Sequence, residues 1–179
     1  MGEAFFWFCS GQLVSSHLFF PPSAWLATSA MALKFVLLVN KQGQTRLARY
    51  TDESLSVDER RALEGEVVRK CLARPESSCS FLPHRDYKVV YRRYASLFFL
   101  VGIDDSENEL ATLELIHALV ETLDKYFGNV CELDIMFHIE KAHYVIDEMI
   151  MDGAVYETNR TNVVSPLQAL EAQIAQERA

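Results

Sequence analysis

Residues 87–103 have the sequence YKVVYRRYASLFFLVGI, and this stretch decides the fold. Its first part, Tyr87 to Tyr91, is rich in β-branched and aromatic residues and predicts a strand. The second part, Ala95 to Ile103, is a nearly continuous apolar run, which is typical of a strand covered on both faces. In this interpretation, Arg92-Arg93-Tyr94 is the tight, charged connection between them. We therefore expect this pair to form the middle of an antiparallel sheet.

The flanking sequence predicts further strands and several helices. Leu33 to Asn40 and Gln44 to Tyr50 are expected to form a hairpin around a turn at Gly43. Ser56 and Glu59 have the spacing of a capping box, for a helix that runs to about Ala73. The other predicted elements are a short strand from Cys79 to Leu82, a helix from about Glu107 to Phe127 capped by Asp104-Asp105-Ser106, a helical region from Glu132 to Met151 that Gly153 ends, and a last helix that begins at Ser165-Pro166. This order predicts an α+β domain with helices on a mainly antiparallel sheet.

The first thirty residues differ in composition from the rest of the chain. They are rich in aromatic residues, contain no Lys or Arg, and are interrupted by Pro21-Pro22. A secretory signal needs a basic start and an unbroken apolar core, and this segment has neither. We expect residues 1–30 to be an N-terminal extension, with the functional start at Met31 and a single domain over residues 31–179. A targeting segment is the alternative interpretation of residues 1–30.

The composition argues against some classes of function. The formal net charge is −8, whereas a non-specific nucleic-acid binder needs a basic face. Arg92-Arg93, with Lys88 and Arg85 nearby, is a local basic cluster in this acidic chain. It is either a solubilising loop or a contact for an anionic lipid, an acidic peptide or a partner chain.

No residue pattern supports catalysis or metal binding. Glu114-x-x-His117 has the spacing found in carboxylate-bridged metal bundles, but those sites also need two further glutamates that face the motif, and a polar pair on the helix surface is the simpler interpretation. Asp147 and Glu148 are adjacent on a predicted helix and point in different directions, so they do not make an acid–base pair. The four cysteines form no CxxC motif and are expected to be buried, reduced thiols. We predict no enzyme activity, no metal and no cofactor.

Several separate motifs resemble one known family, the small (sigma) chains of clathrin-adaptor complexes. The matching segments run from about Met31 to Leu170 and are Gly43 to Leu47, Val89 to Phe99, Asn108-Glu109-Leu110, Leu113 to His117, Asp124 to Phe127 and Val130 to Ile135. Within the family, Val101 to Glu109 and Tyr156 to Arg160 look most like the sigma chains of adaptor protein complex four. The stretch from Tyr94 to Leu133 also resembles the sigma chains of complexes one and two.

The resemblance implies a longin-like fold with a five-stranded sheet flanked by helices. It also implies a subunit that assembles with two large adaptin chains and one medium chain and sorts membrane cargo by its tail peptides. Such a protein is cytoplasmic and peripheral on trans-Golgi network and coated-vesicle membranes. The alternative is a stand-alone longin-type regulatory module that binds a fusion protein or a small GTPase. The chain has no fusion-type heptads, which argues against this alternative.

The resemblance also implies a site for acidic dileucine signals of the form [DE]xxxL[LI]. The positions that match the leucine pocket of the family are Ala95, Leu97, Val120, Asn129, Val130 and Ile135. Arg46 matches the family residue that faces the acidic residue of the signal. Ala95 is expected to open the central strand and to leave room for a leucine.

Overall fold

The computed structural model describes residues 32–51, 54–75 and 77–177. Its elements are β1 (Leu33–Asn40), β2 (Thr45–Tyr50), α1 (Val57–Leu72), β3 (Phe81–His84), β4 (Tyr87–Tyr94), β5 (Leu97–Asp104), α2 (Glu109–Phe127), α3 (Glu132–Phe137), α4 (Ile139–Met149), β6 (Ile150–Met151), β7 (Ala154–Val155) and α5 (Arg160–Glu177). Within these ranges, no helix combines the length and apolar character needed to cross a bilayer. The proposed extension, residues 1–30, lies outside the described residues.

Five strands form one antiparallel sheet in the order β2-β1-β5-β4-β3. The apolar strand β5 is the middle strand, as its sequence predicts. Its side chains alternate between the two faces: Leu97, Phe99, Val101 and Ile103 belong to one apolar core, and Leu100 belongs to the other. Helix α1 covers the second core, while α2, α4 and α5 cover the first. The α+β architecture with a five-stranded sheet flanked by helices is therefore confirmed.

The connection between β4 and β5 differs from the prediction. Arg92, Arg93 and Tyr94 are the last residues of β4, and Tyr94 pairs with Leu97 across a two-residue turn. Ala95 is the first residue of that turn and has a φ of 50°. It therefore precedes the central strand instead of opening it. An alanine gives no local signal for this turn, because positive φ is a conformation that glycine, not alanine, adopts readily.

The predicted hairpin and the capping box of α1 are confirmed. The Ser56 hydroxyl accepts from the Glu59 backbone amide, and the Glu59 carboxylate accepts from the Ser56 amide. The predicted start of α2 is wrong, because Asn108, not the Asp104–Ser106 segment, caps it. Val57 and Leu110 lie in the first turns of α1 and α2 and are 63% and 66% exposed.

The C-terminal third departs most from the sequence interpretation. The helical region from Glu132 divides at His138 into α3 and α4, and Ile150 and Met151 form a strand. Asp152 and Gly153 have φ values of 48° and 73° and make the two-residue turn from β6 to β7, so Gly153 does not end a helix.

Helix α5 begins before the predicted proline start. The Asn159 side chain accepts from the Thr161 amide, which makes Asn159 the residue that caps the helix, and Pro166 lies inside it.

The expectation for the cysteines is only partly met. Cys71 is a buried free thiol, whereas Cys79 and Cys131 are exposed free thiols. Cys9 lies outside the described residues.

Candidate functional site

A cavity of about 480 Å³ opens at one end of the first apolar core. The turn from β4 to β5, helix α2, the start of α3 and the start of α5 surround it. Its lining residues are Tyr94, Ala95, Ser96, Leu97, Phe99, Val120, Glu121, Asp124, Lys125, Val130, Cys131, Glu132, Ile135 and Arg160. A volume of this size is within the range of about 300–1,000 Å³ that is usual for ligand pockets.

Apolar side chains from β5, α2 and α3 form the floor of the cavity. Leu97 is the first residue of β5, Val120 lies on α2, and Ile135 lies on α3 and is fully buried. Tyr94 packs edge-on against Phe99, with ring centroids 5.7 Å apart. These side chains provide a rigid hydrophobic surface that an aliphatic side chain can cover.

The turn after α2 brings the chain back toward the cavity. Gly128 and Asn129 have φ values of 70° and 64°, so the chain reverses direction directly after the helix. The Asp124 carboxylate then accepts from the Val130 amide at 3.1 Å, which fixes the reversed segment to the last turn of α2. Val130 is thereby held half-buried at the cavity wall.

The structure brings five of the seven predicted site residues together. Ala95, Leu97, Val120, Val130 and Ile135 line the cavity. The other two residues, Asn129 and Arg46, are not among the lining residues. Asn129 is exposed in the left-handed turn and serves the geometry of that turn. Arg46 lies on β2 and connects to the cavity through Glu132.

Ion pairs surround the mouth of the cavity. The Arg46 Nε atom lies 3.0 Å from the Glu132 Oε1 atom. On the opposite side, Arg160 Nη1 lies 3.3 Å from Glu121 Oε2. Lys125 donates to the Thr161 hydroxyl at 2.9 Å. An apolar floor with a charged rim suits a ligand whose apolar side chains enter while its backbone stays at the surface.

The Glu132 carboxylate remains ionised at this rim. Burial raises the pKa of this carboxyl, but hydrogen bonds from Arg46, Asn40 and Ser96 together outweigh burial and lower the pKa below its ordinary value. At neutral pH the Arg46–Glu132 contact is therefore a pair of opposite charges.

The basic cluster noted in the sequence does not form a loop. Arg85 pairs with Glu66 at 2.8 Å, and Lys88 pairs with Glu109 at 2.8 Å. Arg92 and Arg93 are adjacent on β4, so their side chains leave on opposite faces of the strand. The four charges are therefore dispersed over the surface.

The described residues contain no group of three or more His, Cys, Asp or Glu side chains arranged to hold a metal ion. His117 of the Glu114-x-x-His117 motif contacts the Tyr94 hydroxyl at 3.2 Å and Glu121 at 3.5 Å. Asp147 pairs with Arg49 at 2.8 Å.

Sequence reasoning assigned no role to most of the charged rim. The sequence identifies Glu132 as the start of a helical region and as part of a family motif, but not as a partner of Arg46, which lies 86 positions earlier. Arg160 belongs to a helix that begins six residues before its predicted start. Tyr94 and Phe99 lie in the central strand pair. Their aromatic side chains indicate a strand there and do not by themselves indicate a binding site.

Three comparisons agree on the family. The family model for the clathrin adaptor complex small chain matches residues 32–174. AP-4 complex subunit sigma of Arabidopsis thaliana is 66% identical over 141 residues, which cover 79% of this chain and 98% of the relative. AP-4 complex subunit sigma-1 of Homo sapiens is 50% identical, with 78% and 96% covered. AP-1 complex subunit sigma-1A of Homo sapiens is 47% identical, with 81% and 90% covered.

The fold comparison gives the same result. A chain in a homology model of the full-length AP-3 complex, in a stretched open conformation, superposes with a TM-score of 0.64 at 29% identity. The match covers 82% of this chain and 97% of that chain. The chain belongs to the clathrin adaptor complex small chain family, whose members are small subunits of heterotetrameric adaptor complexes in vesicle trafficking.

Proposed function

We propose that this chain is the small subunit of an AP-4-type adaptor complex and that its cavity receives the two leucines of an acidic dileucine signal in a cargo tail. The apolar floor at the cavity carries this proposal. The assembly has two large adaptin chains and one medium chain beside this subunit. Its place is peripheral, on cytoplasmic faces of trans-Golgi network and coated-vesicle membranes, and its role is binding without catalysis.

The identities of the relatives support the choice of complex. The AP-4 sigma subunits of Arabidopsis thaliana and Homo sapiens are 66% and 50% identical to this chain, and the human AP-1 relative is 47% identical. The difference in sequence identity between the AP-4 and AP-1 relatives comes mainly from the Arabidopsis thaliana protein. Purification of the tagged chain with its partners tests this choice, because AP-4 large chains and AP-1 large chains are distinguishable by mass spectrometry.

The energetics of the cavity suit a reversible cargo contact. Burying a leucine side chain contributes about 1.5–3 kcal/mol. Ordering a flexible tail peptide offsets part of this gain. Two leucines therefore give affinities on the order of micromolar. Many weak contacts on one membrane then gather cargo by multivalency.

Peptide binding to the assembled complex tests the pocket. Val120→Asp places an unpaired charge beside the apolar floor, so we expect it to abolish binding of an acidic dileucine peptide. Leu110→Asp is the matched control, since Leu110 lies on the same helix but is 66% exposed and does not line the cavity. Both variants must assemble with the other chains. The pocket assignment is wrong if the wild-type complex binds no dileucine peptide, or if Val120→Asp binds as well as Leu110→Asp.

A further inference from the structure

We infer that Glu132 is an intramolecular competitor of the signal's acidic residue, so that the site selects the two leucines and gains little from the acid. The inference rests on the proposed function. It concerns the specificity of the same cavity and names Glu132 as the residue that sets it.

Glu132 already occupies the position that an acidic ligand residue would take beside Arg46. The Arg46 Nε atom and the Glu132 Oε1 atom are 3.0 Å apart, and their side chains are 25% and 22% exposed. Glu132 itself lines the cavity, whereas Arg46 does not. A carboxylate that enters the cavity with a peptide therefore lies close to the carboxylate of Glu132, which already contacts the guanidinium.

The structure holds Glu132 in place independently of Arg46. Asn40 donates from Nδ2 to the same Glu132 oxygen at 3.3 Å. Asn40 is itself fixed, because its side-chain oxygen accepts from the backbone amides of Gln42 and Gln44 at 3.0 and 2.9 Å. Asn40 is 1% exposed, so this arrangement belongs to the β1–β2 turn and not to a mobile surface chain.

Exchange of one carboxylate for another yields little free energy. If Arg46 turned toward a peptide, Glu132 would stay at the rim on Asn40 as a half-buried negative charge. It would then repel the incoming acid. Across the cavity, Arg160 is paired with Glu121, and Lys125 contacts the uncharged Thr161. Lys125 is thus the rim cation whose contact would cost least to give up, and it is the competing source of acid recognition.

The test compares two peptides on the assembled complex. One is an acidic dileucine peptide, and the other carries Gln in place of the acidic residue. In the wild type, we expect the two dissociation constants to differ by less than ~2-fold, because an exposed or compensated pair contributes little. In Glu132→Gln, Arg46 loses its fixed partner, and we expect the acidic peptide to bind ~3- to 10-fold more tightly than the neutral one.

Glu121→Gln is the matched control. It removes one negative charge from the same rim and releases Arg160 instead of Arg46, so it measures what a change in net charge contributes when Arg46 keeps its partner. The double variant Arg46→Gln/Glu132→Gln should return the ratio of dissociation constants to the wild-type value. Thermal unfolding of each complex reports whether the subunit remains folded.

The outcomes separate this inference from the proposed function. A wild-type complex that prefers the acidic peptide by more than ~10-fold overturns the inference even if Glu132→Gln does not assemble. The inference is also overturned if Glu132→Gln and Glu121→Gln increase the preference for the acidic peptide equally. It is overturned as well if Lys125→Gln abolishes that preference. In each of these cases leucine binding, and with it the proposed function, still stands. Failure of every complex to bind either peptide removes both.

Discussion

The ring of Phe35 on β1 lies against the α-carbon of Gly102 on β5, where an added Cβ atom would come within 2.5 Å of the ring. The two residues are paired across the strands. The ring also packs edge-on against Tyr87, with centroids 5.8 Å apart. The absent side chain of Gly102 is therefore what allows an aromatic cluster to form on the α1 face of the sheet.

Gly102→Ala should destabilise the subunit by about 1–3 kcal/mol, because the new methyl group overpacks a core that cannot shift freely. Gly65→Ala is the control, since a Cβ atom at Gly65 meets nothing within 4 Å and alanine favours a helix. Thermal unfolding of the assembled complex measures both. Equal melting temperatures for the Gly102 variant and the wild type would show that the ring moves aside without cost.

Glu66 joins α1 to the β3–β4 turn, and its contribution should depend on pH. It contacts Lys70 and Arg85, both at 2.8 Å, and the buried ring of His84 at 3.2 Å. The hydrogen bond from Lys70 lowers the pKa of the Glu66 carboxyl most. Burial raises this pKa, and the hydrogen bond from Arg85 lowers it again. The net result is a pKa that falls from 4.5 to about 2. Since the pKa is lower in the folded state, the stabilisation is fully present above pH 4.5 and is lost as pH falls towards 2.

Glu66→Gln should therefore lower the melting temperature near neutral pH, and the difference from wild type should shrink between about pH 4.5 and pH 2. Melting curves at several pH values in this window measure the effect. Asp58→Asn is the control, because Asp58 lies on the same helix and its contact with Arg61 is a loose 3.9 Å pair. A difference that stays constant down to pH 3 would show that the lost contacts do not depend on the Glu66 charge.

The sequence predicts the sheet better than its turns, for a physical reason. The apolar run of β5 is a local signal of burial on both faces, and it places that strand correctly in the centre. Arg92 and Arg93 are polar and exposed, so the sequence at the end of β4 resembles that of a loop. Ala95 adopts its positive φ because the strand register requires a two-residue turn there. Nothing in the local sequence encodes that requirement.

The apolar part of the candidate site follows from the sequence, whereas its electrostatics do not. Val120 and Ile135 occupy positions that match the leucine pocket of the family, so the resemblance identifies them. The pairing of Arg46 with Glu132 depends on how the β1–β2 turn packs against α3, and the two residues are 86 positions apart. Arg160 reaches the rim only because Asn159 starts α5 early. Tertiary packing decides these contacts, so no local pattern predicts them.

Residues 1–30 are proposed to be dispensable for assembly. The family match begins at residue 32, and the first strand begins at Leu33. A chain that begins at Met31 should be recovered with the same large and medium chains as the full-length chain, and it should reach the same membranes. Co-purification and imaging of the two forms side by side measure this. Loss of assembly or of localisation in the shorter form would assign residues 1–30 a function.

The last prediction separates apolar from electrostatic recognition by salt. Replacing either leucine of the peptide by alanine should weaken binding by about tenfold or more, because each buried leucine contributes about 1.5–3 kcal/mol. Raising the salt concentration from about 0.1 M to about 1 M shortens the screening length from about 10 Å to about 3 Å. This change should scarcely alter leucine binding. Arg46→Gln should weaken binding of the acidic peptide slightly at about 0.1 M salt, and this loss should shrink at about 1 M salt. Titrations of the assembled complex at both salt concentrations, with a peptide of scrambled sequence as the control, measure these effects. If high salt abolished binding while both alanine peptides bound normally, the site would be electrostatic, and the cavity would not be the leucine pocket.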